Sequence, residues 1–148
     1  MPQLFTLEAH TPYRLFFSDK IEVLIVRIED GEIGIYANHI PITAPVCTGI
    51  LKMKDKNGLW REAFITEGIL EVTAKKTVIL AETAEWPEEI NEEAALAAKR
   101  DAEEILKTRI LKFETATAKA KLRRAEMRLL VHARGKAAAA REPLSGRL

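Results

Sequence analysis

Apolar and polar positions change rhythm partway along the chain. Up to about residue 85, β-branched and aromatic residues occur in short runs broken by turn residues, the pattern of strands. Phe5, Leu7 and Ala9 alternate with Thr6, Glu8 and His10, a period of two that Thr11-Pro12 ends. Val23-Leu24-Ile25-Val26 is continuously apolar between Ser18-Asp19-Lys20 and Asp30-Gly31, which predicts a strand covered on both faces. Further strands are expected over Ile33–Tyr36, Gly49–Lys54, Trp60–Thr66, Ile69–Ala74 and Thr77–Glu82, with hairpin turns at Lys56-Asn57-Gly58 and Lys75-Lys76. Many short strands at this spacing predict a sandwich or barrel.

From Ile90 onward Ala, Glu, Lys, Arg and Leu dominate and no Gly occurs before Gly135, the composition of helices. Pro87-Glu88-Glu89 has the proline-led, acidic character of a helix start. Two helices are predicted, with a break between Lys107 and Thr115. One would bury Ala94, Ala98, Ala102, Ile105 and Ile110, the other Ala118, Leu122, Ala125, Leu129 and Ala133. Alanine stripes allow close approach but bury little area, so the two helices are expected to dock weakly. The domain division is expected at 1–87 for the strands and 88–136 for the helices, with 137–148 an aperiodic and disordered tail.

Composition adds limits. With 148 residues, 47% hydrophobic and 30% charged, the chain suits a soluble globular domain with a small appendage. Its single Cys47 can form neither an internal disulfide nor a thiolate cluster, which fits a reducing compartment. No stretch approaches the ~20 apolar residues of a membrane-spanning helix, and no targeting segment is expected. The net charge of +1 conceals a gradient: residues 1–89 carry 9 Lys/Arg against 14 Asp/Glu, and residues 90–148 carry 14 against 8. An acidic partner would therefore meet the C-terminal third.

Candidate chemistry is sparse. His10, His39 and His132 fall on different elements without ligand spacing, so no metal is expected. Ser18 and Ser145 lack a nucleophile-elbow pattern, and Cys47 has no base near it in sequence, so a catalytic role is not expected. Gly31-Glu32-Ile33-Gly34 lacks the third glycine and the Lys-Ser/Thr pair of a phosphate loop. Two charged features stand out. The acidic turn Glu29 to Glu32 is either a plain exposed turn or a docking loop on a rigid sheet. The basic run Lys119, Lys121, Arg123, Arg124, Arg128 and Arg134 is either a solvated helix face or a grip on an acidic partner. It contains no interleaved aromatic residues for stacking on bases.

The stretch Gly31-Glu32-Ile33-Gly34-Ile35-Tyr36-Ala37-Asn38-His39-Ile40-Pro41 resembles the epsilon subunit of the rotary F-type ATP synthase, of bacterial type. The similarity continues in order through Gly49-Ile50-Leu51, Phe64 to Val72, Ala81 to Ala84, Glu88-Glu89-Ile90 and Arg124 to Leu129, covering nearly residues 2–134. It implies a β plus α fold: a flattened antiparallel β-sandwich of about ten strands, then an antiparallel two-helix hairpin. It implies a non-catalytic central-stalk subunit, without cofactor, that couples rotation to the catalytic head and restrains ATP hydrolysis through its C-terminal helices. The implied partners are the gamma subunit, the c-subunit ring and the alpha and beta subunits of a proton- or sodium-translocating complex. Membrane contact would come only through that complex, at the cytoplasmic face of the bacterial plasma membrane or an organellar equivalent.

Carried over residue by residue, the resemblance implies a c-ring contact at Glu29, Asp30, Gly31, Glu32, Ile33 and nearby His39. It also implies an inhibitory contact to catalytic subunits through Arg123, Arg124 and Arg128. Two departures are visible. Ala37-Asn38-His39 stands where many members have Pro-Gly-His, and Asn tolerates a positive φ. Ile90-Asn91-Glu92-Glu93-Ala94-Ala95 lacks the Asp and Arg with which some bacterial members bind ATP, so no such binding is expected. The alternative function is a nucleic-acid-binding module using the basic C-terminal third, which would bind with strong salt dependence.

Overall fold

The computed structural model describes residues 2–108 and 112–141, and the chain divides between Glu85 and Trp86 into two compact units. The first unit carries nine strands among its described residues: β1 (Phe5–His10), β2 (Leu15–Ile28), β3 (Gly31–Ile35), β4 (Ile42–Val46), β5 (Gly49–Asp55), β6 (Trp60–Ile65), β7 (Gly68–Val72), β8 (Thr77–Ala81) and β9 (Ala84–Glu85). They hydrogen-bond in the order β1-β8-β7-β4-β2-β5-β6-β9, with β3 on β2. The long β2 pairs with β1 through its first half and with β3 and β5 through its second, so one strand serves both layers of the β-sandwich. All pairings are antiparallel except β1 with β8.

The apolar run in β2 has a different cause from the one its sequence predicts. Val23, Leu24 and Val26 are buried but Ile25 is only half-buried, so the strand is not covered on both faces. Ile21 and Val23 point inward, and so do Leu24 and Val26, so the alternation changes phase at Val23-Leu24. This falls beside a register shift, where Ile21 pairs with Asp55 and Val23 with Lys54. A bulge leaves one extra residue on β2, which changes which side chains face the core.

The second unit opens with a short 3-10 turn, Pro87–Glu89, followed by α1 (Glu92–Thr108) and α2 (Lys112–Arg141). Asn91 starts α1 by accepting the Ala94 N–H on its side-chain oxygen at 3.0 Å. The helices pack together, and Glu92 at the start of α1 meets Lys136 near the end of α2, so they run antiparallel. On α1 part of the predicted stripe holds: Ala102 is buried and Ala98 half-buried, while Ala94 and Ile105 are exposed and Ala95 is buried instead. On α2, Ala118 and Ala125 are buried and Leu122 and Leu129 half-buried as expected, but Ala133 is exposed and Val131 is buried instead. α2 also continues to Arg141, through the alanines at which the predicted tail began. Ile110 and residues 142–148 lie outside the described residues.

Candidate functional site

The acidic turn is a two-residue hairpin tip. Ile28 pairs with Gly31 and Arg27 with Glu32, leaving Glu29 and Asp30 as the loop. Gly31 has φ +129°, a conformation that side-chain-bearing residues rarely adopt, so the turn needs a glycine there. Glu29, Asp30, Gly31 and Glu32 are exposed and Ile33 is half-buried. Arg27 stands opposite Glu32 in the strand pair, and Glu29 and Asp30, at the turn itself, are the outermost carboxylates.

His39 does not join this tip. It lies past the far end of β3, and at about 3.4 Å per residue that strand keeps the two features more than ~10 Å apart. Its surroundings are a separate turn in which Asn38 adopts φ +63° and donates from its side chain to Gln3 Oε1 at 3.0 Å. The His39 N–H donates to the Tyr36 carbonyl at 3.2 Å, and its Nδ1 lies 2.7 Å from the Ile40 carbonyl. This turn borders an open cleft of about 250 Å³ lined also by Phe5, Pro41, Thr73 and Lys75. Asn38 thus takes the positive φ that its residue type tolerates, but His39 belongs with the cleft and not with the acidic tip.

The three arginines of α2 divide as well. Arg123 is exposed, whereas Arg124 and Arg128, one turn apart, are half-buried on the side that also carries His132 and Gly135. Lys119 lies one turn before Arg123 and is exposed, so the outward basic stripe starts from these two residues. Sequence periodicity could not make this distinction because basic residues occur on every side of the helix.

A polar cluster that the sequence did not single out ties the second unit together. His132 Nδ1 lies 3.2 Å from the Pro87 carbonyl, and its Nε2 lies 3.4 Å from Glu92 Oε2. Lys136 Nζ reaches the same Glu92 oxygen at 3.5 Å. A Cβ on Gly135 would collide with the Pro87 ring, so the glycine allows the 3-10 turn to sit directly on α2. In the first unit, hydrogen bonds from Lys76 and then His10 hold the Glu8 carboxyl below its ordinary value, and Lys76 reaches it at 2.6 Å. The backbone N–H of Lys20, followed by Lys56, does the same for Asp19.

Among the described residues no three His, Cys, Asp or Glu side chains gather as metal ligands, and no helix is long and apolar enough to cross a membrane.

A β-sandwich unit followed by an antiparallel helical hairpin, with an acidic hairpin tip on the first and a basic face on the second, defines the class of protein. Residues 4–87 match the "ATP synthase, Delta/Epsilon chain, beta-sandwich domain" and residues 88–132 the "ATP synthase, Delta/Epsilon chain, long alpha-helix domain". The chain belongs to the ATP synthase delta/epsilon chain family. It is 50% identical over 125 residues to the ATP synthase epsilon chain of Caldicellulosiruptor saccharolyticus, covering 84% of this chain and 90% of that one. It is 46% identical over 132 residues to the ATP synthase epsilon chain of Caldanaerobacter subterraneus subsp. tengcongensis, covering 88% and 95%. Its fold is similar to that of a chain in the cryo-EM structure of Euglena gracilis mitochondrial ATP synthase, OSCP/F1/c-ring. The TM-score is 0.75 at 20% identity, over 85% of this chain and 79% of that chain. A chain from the Tetrahymena thermophila mitochondrial ATP synthase central stalk and c-ring gives a TM-score of 0.60 at 15% identity, over 88% and 98%.

Proposed function

We propose that this chain is the epsilon subunit of a bacterial central stalk, linking c-ring rotation to the catalytic head and restraining ATP hydrolysis through its helical hairpin. The observation that carries this reading is the match, in order, of both family domains over residues 4–132, on a structure that divides at nearly the same place. On this reading the chain is non-catalytic, binds gamma and the c-ring through its sandwich, and meets alpha and beta subunits through α2. It works at the cytoplasmic face of the membrane without entering it.

The acidic tip is the proposed c-ring contact, led by Glu29 and Asp30 at the turn itself. His39 stands apart from this contact, because β3 holds it away from the tip. Carboxylates on a rigid hairpin favour a basic partner surface and set its register. Replacing Glu29 and Asp30 together with Lys should lower the coupling of proton flow to ATP synthesis in reconstituted vesicles while the free subunit keeps its fold. Undiminished coupling would remove this contact from the account.

The basic face of α2 is proposed to meet acidic protein and not nucleic acid. The free chain should accordingly show no salt-dependent affinity for oligonucleotides, whereas a nucleic-acid module would lose affinity steeply with salt.

A further inference from the structure

We infer that the end of α2 is a releasable strap, seated on the 3-10 turn by the fit of the Pro87 ring against Gly135, and that this fit decides whether the strap is closed. Burial along α2 shows where the strap begins. Ala118, Ala125 and Val131 are buried and anchor α2 in the helix pair, whereas from Ala133 to Ala139 every residue except Gly135 is exposed. The main packing therefore stops at Val131 and His132, and the next two turns or so of helix cover only one residue. Gly135 also lies just past residue 132, where the match to the long alpha-helix domain ends.

Gly135 is the residue that α2 would lack if helix formation alone chose its sequence. A glycine inside a helix weakens it about five-fold relative to alanine, and alanine occupies 133 and 137–140 on either side. Close approach is what the glycine provides. A Cβ at 135 would collide with Pro87 Cβ and lie 3.1 Å from Pro87 Cγ. A proline ring is tied to its own backbone and cannot rotate aside. The turn that carries it is fixed as well: the Glu89 N–H donates to the Trp86 carbonyl at 3.0 Å and the Ile90 N–H to the Pro87 carbonyl at 3.3 Å. Asn91 then caps α1 directly, so knob and socket are both stiff.

The polar contacts around the seat are what closing the strap commits. His132, one turn before Gly135, places Nδ1 3.2 Å from the Pro87 carbonyl and Nε2 3.4 Å from Glu92 Oε2. Lys136 Nζ reaches the same oxygen at 3.5 Å, but both partners of that pair are exposed, and such pairs contribute little. The pair follows the fit and does not set it. Closed, the strap keeps His132 and Lys136 on a carboxylate of their own unit. Released, it presents them to an acidic surface, a regulatory consequence that rests on the function proposed above for α2.

The strap is tested in the free full-length chain by amide hydrogen exchange read residue by residue. Gly135→Ala should speed exchange at Glu89 and Ile90 by about ten-fold, the scale of overpacking at a stiff contact, because their turn loses its support on α2. In a Pro87→Gly background, which removes the knob, the same substitution should leave those two amides unchanged. Pro87→Gly alone should speed exchange several-fold over residues 137–139, where the strap has lost its seat. An equal effect of Gly135→Ala in both backgrounds overturns the proposal, and so does a turn that exchanges as in wild type when residue 135 is alanine. Unchanged exchange over 137–139 in Pro87→Gly overturns it even if Gly135→Ala fails to fold. None of these rates depends on the assembled complex, so a failed stalk function would overturn the functional reading and leave the strap standing.

Discussion

Gly68 shows how little room the sandwich leaves at single positions. It pairs with Ala81 where β7 meets β8, and a Cβ placed there would run into the Leu80 carbonyl and the Ala81 backbone. Backbone cannot swing aside as a side-chain tip does, so Gly68→Ala should destabilise the sandwich by ~1–3 kcal/mol, the usual cost of overpacking. A urea unfolding midpoint equal to wild type would contradict this. Glu8 tests a weaker, electrostatic tie. Its carboxyl is held below the ordinary value of 4.5 by Lys76 and then His10. A carboxyl with a lowered folded value stabilises the fold above the unfolded value, and this is lost as pH falls through the folded one. Wild type should therefore lose thermal stability on acidification below about pH 4.5 more steeply than Glu8→Gln, and parallel curves would show that the tie contributes nothing. The pair is solvent-accessible, which keeps the effect small.

At the scale of elements, the strands and helices that sequence made legible were those whose pattern is local. Phe5 to Ala9 read as a strand because alternation is visible within six residues, and β1 lies there. β4 was not among the expected strands, and Pro45 lies within it. It forms because most of its pairing is to β7, with β2 joining only at Val46, so a proline without an N–H is tolerated. The first half of β2 was hidden by Ser18-Asp19-Lys20, three exposed residues that stay extended because they pair with Glu8, Leu7 and Thr6 of β1. No local signal announces the β1–β8 pairing, which is set by strands about 70 residues apart. On α1 Ala102 was placed correctly, but Ala95 is buried where Ala94 was expected, because alanines occupy 94, 95, 97 and 98 and an apolar stripe there can be drawn with either phase.

The charged surfaces follow the same division. Glu29 to Glu32 were legible as a turn because Gly31 marks it, but the separation of His39 required β3 to be seen in place. The basic character of α2 was visible, whereas the partition of its arginines depended on which side α1 and the 3-10 turn occupy. That partition changes the useful experiment. Replacing Arg124 or Arg128 with Ala removes packed side-chain stem as well as charge. Lys119→Ala with Arg123→Ala removes exposed charge alone. In the assembled enzyme this pair should raise ATP hydrolysis modestly, by about two-fold, and the difference from wild type should shrink at high salt, where screening has already weakened the native contact. A salt-independent difference would mean that the pair acts through helix stability and not through charge.

For the whole molecule, the two units divide the proposed work. A sandwich with a closely packed core presents the acidic tip, and a hairpin that buries Val131 and four alanines and joins His132 to Glu92 carries the basic face. On the proposed function the second unit is the one that changes arrangement, and its basic face gives that change a target. Termination after Ile90 removes α1 and α2 while keeping every strand, so the remaining chain should still enter the complex.

The central claim is that this hairpin restrains ATP hydrolysis, and it is tested most directly by measuring hydrolysis at low proton-motive force in complexes assembled with the full chain or with residues 1–90. The account predicts a rise of about five-fold or more on removal of the hairpin, the low end of ordinary coupling between sites. Equal rates, in complexes shown to contain the shortened chain in full amount, would contradict it.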